Sequence, residues 1–286
     1  MERPIVCGTD LSPVAAEAAD VAAALARRLE TSLILIHVEQ FYGMAEVDPS
    51  LFEAALSGKR TAVEGEADRL RQLETKVETQ VLAGSIFDEI VTSVIQANAR
   101  TLVVGAVGRS LSQRLLLGSV AERTAENSPV PTLVVRPGSA LVSWLRGERI
   151  LKVLVGYDFS ATSDAALAWV GELHAIGQCE ITIVHVSAKP DESDETLEQE
   201  LSRRVGRLLP VDQVHLAIRS SWGSPEGALF EASQADPPDL IVVGTYQRHG
   251  LVRLRFGSVS RAVLRHAKVS VAVVPPAAAQ SGDGKS

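Results

Sequence analysis

The chain contains itself twice, and that duplication constrains its fold more than any other feature. Ile5-Val6-Cys7-Gly8-Thr9-Asp10 is echoed by Val153-Leu154-Val155-Gly156-Tyr157-Asp158. Leu33-Ile34-Leu35-Ile36-His37-Val38 is echoed by Ile181-Thr182-Ile183-Val184-His185-Val186, at the same offset of 148. Further on, Leu102-Val103-Val104-Gly105 matches Ile241-Val242-Val243-Gly244, and Gly118-Ser119-Val120 matches Gly257-Ser258-Val259. These pairs are offset by 139. The second copy therefore lacks nine residues between Val38 and Gly84, where the first carries the long segment Phe41–Gly65. A shortened surface loop or helix is expected there.

Each copy alternates strand and helix patterns. Pro4–Gly8, Leu33–Val38, Val77–Leu82, Thr101–Ala106 and Pro131–Arg136 are apolar runs. So are Lys152–Gly156, Ile181–Val186, Val214–Arg219, Asp239–Thr245 and Val269–Pro275. Most are continuously apolar rather than alternating, as in parallel strands buried on both faces. Helical periodicity lies between them, over Val14–Glu30, Ser85–Ala99, Ser119–Asn127, Thr162–Ile176, Pro225–Ala235 and Ser258–Ala267. Ser12-Pro13 supplies a cap and a proline at the first helical position. This order predicts two doubly wound α/β domains with mainly parallel sheets, over residues 1–138 and 149–276. Gly138–Glu148 reads as a linker that Trp144 and Leu145 dock, and 277–286 as a disordered tail.

In such folds ligands bind beyond the carboxyl ends of the strands, where the strand order switches. Asp10, Val38 and the segment 105–119 converge there in the first copy. That segment has the spacing Gly105, two residues, Gly108, nine residues, Gly118-Ser119. Gly105 and Gly108 permit close backbone approach, and Gly118-Ser119 opens a helix whose free N–H groups and dipole favour phosphate. Ser119-Val120-Ala121-Glu122 also fits a capping box. Arg109 and Arg114 add positive charge. A single glycine here would read as a turn and the serine as a cap; the conjunction is more specific. It is neither a Gly-Lys-Ser/Thr phosphate loop nor a Gly-x-Gly-x-x-Gly fingerprint.

With these residues the sequence resembles a tandem universal stress protein, over almost the whole chain. The resemblance implies two five-stranded Rossmann-like domains of the adenine nucleotide alpha hydrolase-like kind and, in one subclass, ATP binding. It implies that Asp10 contacts the nucleoside and the Val38 backbone reads adenine. Gly105, Gly108, Arg109, Gly118, Ser119 and Val120 would surround the ribose and phosphates. ADP or AMP are alternatives to ATP, with Mg²⁺ as an optional companion. The corresponding residues of the second copy are Asp158, Val186, Gly244, Gly257, Ser258 and Val259. That copy departs from the pattern. Gln247 replaces the second glycine, where a Cβ blocks close approach or forbids the dihedral, and Arg261 removes the acidic member of a capping box. Its loop is more basic, with Arg248, His249, Arg253 and Arg255. The second site is expected to be degenerate, with nucleotide binding there left open.

Charge and composition bound the partners. The chain has 28 Lys+Arg against 35 Asp+Glu, a net charge of −7, which argues against a nucleic-acid binder but not against a small anion. At 4% aromatic there is little for stacking on single strands. No apolar run approaches a membrane span, and Met1–Pro4 has no secretory hydrophobic region. Cys7 and Cys179 lack metal-ligand spacing and read as core residues of a cytoplasmic protein. His37 and His185 read as hydrogen-bonded structural residues. The run Glu192–Glu200 reads as a solvated helix face, and Asp10 and Asp158 have strand-to-helix capping as their plain alternative.

The leading expectation is a nucleotide-binding stress-response regulator acting on an unidentified protein partner. No acidic metal pair stands beside the loop, as phosphoryl transfer would require. The alternatives are a slow ATPase or an enzyme that phosphorylates itself on Ser110, Ser112 or Ser119, and a nucleotide-free interaction protein. The last strands of the two copies, Thr132–Val135 and Val271–Val274, are expected to pair inside the chain as an intrachain pseudo-dimer, with a homodimer as a further possibility.

Overall fold

The computed structural model describes residues 3–40, 49–108, 117–187, 194–209, 214–220, 224–245 and 257–276. The first repeat runs β1 (Ile5–Gly8), α1 (Pro13–Arg28), β2 (Leu33–Glu39), α2 (Pro49–Arg71), β3 (Val77–Ala83), α3 (Ile86–Gln96), β4 (Thr101–Gly105), α4 (Ser119–Asn127) and β5 (Thr132–Val135). A short helix α5 (Leu141–Leu145) follows. The second repeat runs β6 (Leu151–Tyr157), α6 (Ala161–Ile176), β7 (Cys179–Ser187), α7 (Asp194–Leu208), β8 (Val214–Ser220), α8 (Pro225–Ala235), β9 (Leu240–Gly244), α9 (Ser258–His266) and β10 (Ser270–Val274). The length difference between the copies falls largely on the second helix of each. α2 has 23 residues and α7 has 15.

Within each repeat the strands are parallel, in the order β3-β2-β1-β4-β5 and β8-β7-β6-β9-β10. β5 and β10 pair antiparallel, with Val134 opposite Val271 and Thr132 opposite Val273, so one ten-stranded sheet runs through both repeats. The inner strands β1, β2, β4, β5, β9 and β10 are buried on both faces, whereas the edge strand β3 buries only Val77. One core, to which Cys7 and Leu35 belong, includes residues of α1, α2, α5, α6 and α7; the other, to which Val6 and Ile36 belong, includes residues of α3, α4, α8 and α9. Alternate residues of one strand thus serve two cores.

Ser12 caps α1 as expected, accepting from Ala15 N, with Pro13 at the first helical position. Ser160 does the same for α6. Asp10 and Asp158 are therefore not the caps. Gly138–Glu148 is no slack tether, because α5 docks it. Trp144 is fully buried and donates Nε1–H to Gln178 O at 2.9 Å, while Arg28 Nε reaches Leu145 O at 2.6 Å. Both cysteines are buried, and burial pushes both thiols up, that of Cys179 to about 12.

Candidate functional site

In the first repeat the strand order reverses between β1 and β4, whose neighbours β2 and β5 lie on opposite sides. A cavity of about 370 Å³ opens beyond their carboxyl ends. Its lining includes Asp10, Val38, Gly105, Gly108, Gly118, Ser119 and Val120. Of the first-repeat residues that the resemblance places around a nucleotide, Arg109 alone is not among them. It lies outside the described residues, as do Ser110, Ser112 and Arg114.

The turn after β1 fixes Asp10. Its Oδ1 accepts from Ser12 N at 3.0 Å, Leu11 takes a left-handed φ of 62°, and Thr9 Oγ1 accepts from Leu11 N at 3.0 Å. Phe159 takes the same conformation in the second repeat, with φ 61°. A non-glycine residue there is strained, and the strain is retained in both copies beside a cavity. Thr9 O is held by His37 Nδ1 at 2.8 Å. His37 Nε2 lies 3.1 Å from Glu39 Oε2, which also receives Lys59 Nζ at 3.0 Å. Burial pushes the Glu39 carboxyl up, but the hydrogen bonds from Lys59 and His37 outweigh it and hold the group below its ordinary value. Among the described residues His185 repeats the inner bond, to Tyr157 O at 2.9 Å, and Phe159 packs edge-on against its ring.

Gly108 owes its identity to distance rather than dihedral. Its φ is not left-handed, yet a Cβ there would sit 2.9 Å from Asp10 Oδ2. Of the two reasons expected for a glycine at this position, close approach and dihedral, the geometry at Gly108 speaks for close approach. Gln247 itself lies outside the described residues, with Arg248, His249, Arg253 and Arg255.

The α4 terminus also differs from expectation. Ser119 is not the cap and there is no capping box. Gly118 is the cap, in extended conformation, with no side chain to satisfy the first turn. The Ser119 side chain is exposed at the cavity mouth, and Glu122 reaches away to Arg265 at 2.5 Å. α9 repeats this with Gly257 as cap, and Arg261 pairs with Glu126 at 2.9 Å. By contrast α1, α6 and α8 all have serine caps that accept from their first turns. The helices without side-chain caps include α4 and α9, whose first residues line the two cavities.

The second cavity, about 220 Å³, is lined in part by Asp158, Val186, Gly244, Gly257, Ser258 and Val259. A Cβ on Gly244 would lie 2.6 Å from the Thr162 backbone, so β9 and α6 touch with no room for a side chain. Asp158 Oδ1 is engaged by both the backbone N and the hydroxyl of Ser160.

Sequence reasoning missed the cavity walls. Ile36, Ile86 and Ile90 line the first, and Val184, Pro225 and Leu229 the second. As strand, helix-face or helix-start residues they carried no signal of an opening, and only the fold brings them to a cavity.

Among the described residues no group of His, Cys, Asp or Glu could hold a metal ion, and no helix is long and apolar enough to cross a membrane.

The model of the universal stress protein family matches residues 1–136 and again 150–275. The chain belongs to the universal stress protein family. A universal stress protein of Methanocaldococcus jannaschii is 32% identical over 139 residues, covering 47% of this chain and 82% of that protein. One from Mycobacterium tuberculosis is 30% identical over 195 residues, 63% of each; the chain thus spans a little under two thirds of that relative's length. Among solved structures, a universal stress protein of Archaeoglobus fulgidus superimposes with a TM-score of 0.75 at 22% identity, covering 96% of this chain and 98% of that one. At that identity the likeness speaks for the fold, and the tandem universal stress protein architecture extends across both repeats.

Proposed function

We propose that the protein is a stress-response regulator whose first repeat binds an adenine nucleotide, ATP in the first instance, with ADP and AMP as alternatives. The observation that carries this reading is the first turn of α4, which opens on the cavity with no side-chain cap, opposite the Gly105–Gly108 turn. Backbone N–H groups of a helix start are donors in search of an anion, and the helix dipole favours negative charge there. Phosphate held this way needs few charged side chains, in keeping with an acidic chain.

In this reading the N–H groups of Ser119 and Val120 and the Ser119 hydroxyl donate to phosphate oxygens. Gly105 and Gly108 let the β4 turn lie against the sugar and phosphates, and Arg109 adds charge. Asp10 accepts from ribose hydroxyls. The base lies between Ile36, Ile86 and Ile90, and the Val38 backbone reads its edge. A volume near 370 Å³ suits a mononucleotide, within the usual range of small-molecule pockets. Mg²⁺ would arrive with the phosphates, since no acidic cluster among the described residues awaits it. The second cavity is narrower and its loop lacks the second glycine, so the chain takes up one nucleotide rather than two.

Mass spectrometry of ligand released on denaturing the purified protein, with stoichiometry per chain, tests this. One adenine nucleotide per chain is expected. ATP at a hundred times its Kd should stabilise the fold by about 2.7 kcal/mol. No released nucleotide together with no thermal shift on adding ATP, ADP or AMP would sink the reading.

A further inference from the structure

The seam between the two repeats carries a charge pattern that the duplication makes legible. Positions 139 apart are equivalent there, so Glu122 corresponds to Arg261 and Glu126 to Arg265. α4 lies against α9, and the contacts cross over. Glu122 meets Arg265 at 2.5 Å and Glu126 meets Arg261 at 2.9 Å. These are the pairings a local two-fold axis produces, and the β5–β10 register has the same symmetry, with Val134 opposite Val271 and Thr132 opposite Val273. Both equivalent positions are acidic in one repeat and basic in the other.

That choice has a consequence for pairing. If the first repeat met a copy of itself through this face, Glu122 would oppose Glu126 twice. If the second met itself, Arg261 would oppose Arg265 twice. Like charges across an interface select against a partner as effectively as opposite charges select for one. A third contact is polarised in the same direction. Arg136 N donates to Ser270 Oγ at 3.1 Å, and the side chain of Arg136 is buried, with Nη2 on Leu264 O at 3.2 Å. The residue equivalent to Ser270 in the first repeat is Pro131, and that equivalent to Arg136 in the second is Pro275. Self-pairing of the first repeat would leave the Arg136 N–H without the hydroxyl, and self-pairing of the second would offer Ser270 a proline with no N–H.

We propose that the α4–β5 face is a recognition surface with a built-in polarity: it accepts the basic α9–β10 face of the second repeat and rejects its own kind. The apolar β5–β10 ladder provides adhesion without selectivity, since Thr132, Val134, Val271 and Val273 could pair either way. The charged helices above it provide the selection. Any pairing between two chains through this face is then reciprocal, first repeat to second.

The test is a charge-exchange cycle on the full chain, read by amide hydrogen exchange of β5 and β10. E122R/E126R places arginine opposite arginine; R261E/R265E places glutamate opposite glutamate; the quadruple variant restores opposite charges with the polarity reversed. Because the exchanged positions are equivalent, the quadruple variant exchanges charges between α4 and α9, in first and last turns alike, rather than adding new ones. Each double variant is expected to exchange the β5 and β10 amides roughly tenfold faster than the parent, on the scale of two weak ion pairs turned repulsive. β2 and β7 amides should be unchanged. The quadruple variant is expected to recover most of the protection. In 1 M NaCl, where the Debye length is about 3 Å, the doubles should approach the parent. If a double variant fails to fold, recovery of a cooperative thermal transition in the quadruple variant takes the place of the exchange readout. The proposal is overturned if the quadruple variant is no better protected, or no better folded, than the doubles, or if both doubles exchange like the parent.

Discussion

Replacing Gly108 by alanine asks whether the second glycine of the loop is there to make room for a carboxylate. The added Cβ would lie 2.9 Å from Asp10 Oδ2, where ordinary contact begins near 3.4 Å. Asp10 must therefore retreat by about 0.5 Å, and it is tethered through Oδ1 to Ser12 N at 3.0 Å. Turning the side chain off its rotamer costs about 0.5–1.5 kcal/mol, and giving up the Ser12 bond about 1 kcal/mol. Glycine to alanine at a permitted φ returns about 0.4–1 kcal/mol through the unfolded state. The net loss of stability in Gly108→Ala is therefore about 0.5–2 kcal/mol. The coupling to Asp10 is what decides.

In an Asp10→Ala background the obstacle is gone, and Gly108→Ala should become stabilising by about 0.4–1 kcal/mol. Denaturant unfolding of the four proteins gives the coupling energy directly, expected at about 1.5–2.5 kcal/mol. Gly118→Ala is the control. Its φ is −71° and its nearest neighbour would be Ala106 O at 3.4 Å, so the fold should accept it. Calorimetric titration with ATP reads the other half: displacing the carboxylate should weaken binding by about 10–150-fold, the worth of one charge-assisted hydrogen bond. Equal stability costs for Gly108→Ala with and without Asp10 would refute the reasoning.

Three further outcomes follow from the same geometry. Trp144→Ala should cost about 3–5 kcal/mol in thermal unfolding, because it empties a fully buried site and removes the bond to Gln178 that straps α5 down. The Glu39 carboxyl is held below its ordinary value, so the stability it contributes is present above the unfolded pKa and is lost as pH falls through the lower folded one. Lys59→Met should flatten the acid side of a Tm-against-pH profile, and an unchanged profile would contradict the assigned cause. Both cysteines should resist a thiol reagent at pH 8 until the protein is denatured, since burial pushes both thiols up; fast labelling of either in the native state would count against their place in the core.

The middle of the sheet was legible because its inner strands are buried on both faces. Leu33–Val38 and Leu240–Val243 need no partner to be read as apolar, and their repetition identified the fold twice. α2 and α7 were only hinted at. Each buries a narrow stripe, Leu56, Val63, Ala67 and Leu70 in one and Leu197, Leu201 and Val205 in the other, among charged neighbours. The stripe was present in the sequence, but a long solvated face dilutes it. The cavity floor was legible too, as glycine spacing at strand ends. Its walls were not, since Ile86 and Ile90 look like any core residues until α3 is placed.

The misreading of Ser119-Val120-Ala121-Glu122 as a capping box shows where local pattern gives out. Serine followed three residues later by glutamate is what a box requires, and nothing nearby contradicts it. What decides is that Gly118 already holds the extended cap position, and that Glu122 has a distant claim, Arg265, 143 residues on. The replacement of that glutamate by Arg261 in the second repeat then changes meaning. Taken within one helix it is the loss of a cap. Taken across the seam it is the other half of a charge pair, because Arg261 finds Glu126. A duplicated chain whose copies must pair with each other, and not with themselves, has reason to let its equivalent positions diverge in sign. The asymmetry between the copies at α4 and α9 is thus a property of their pairing, separate from the divergence of the glycine loop beside it.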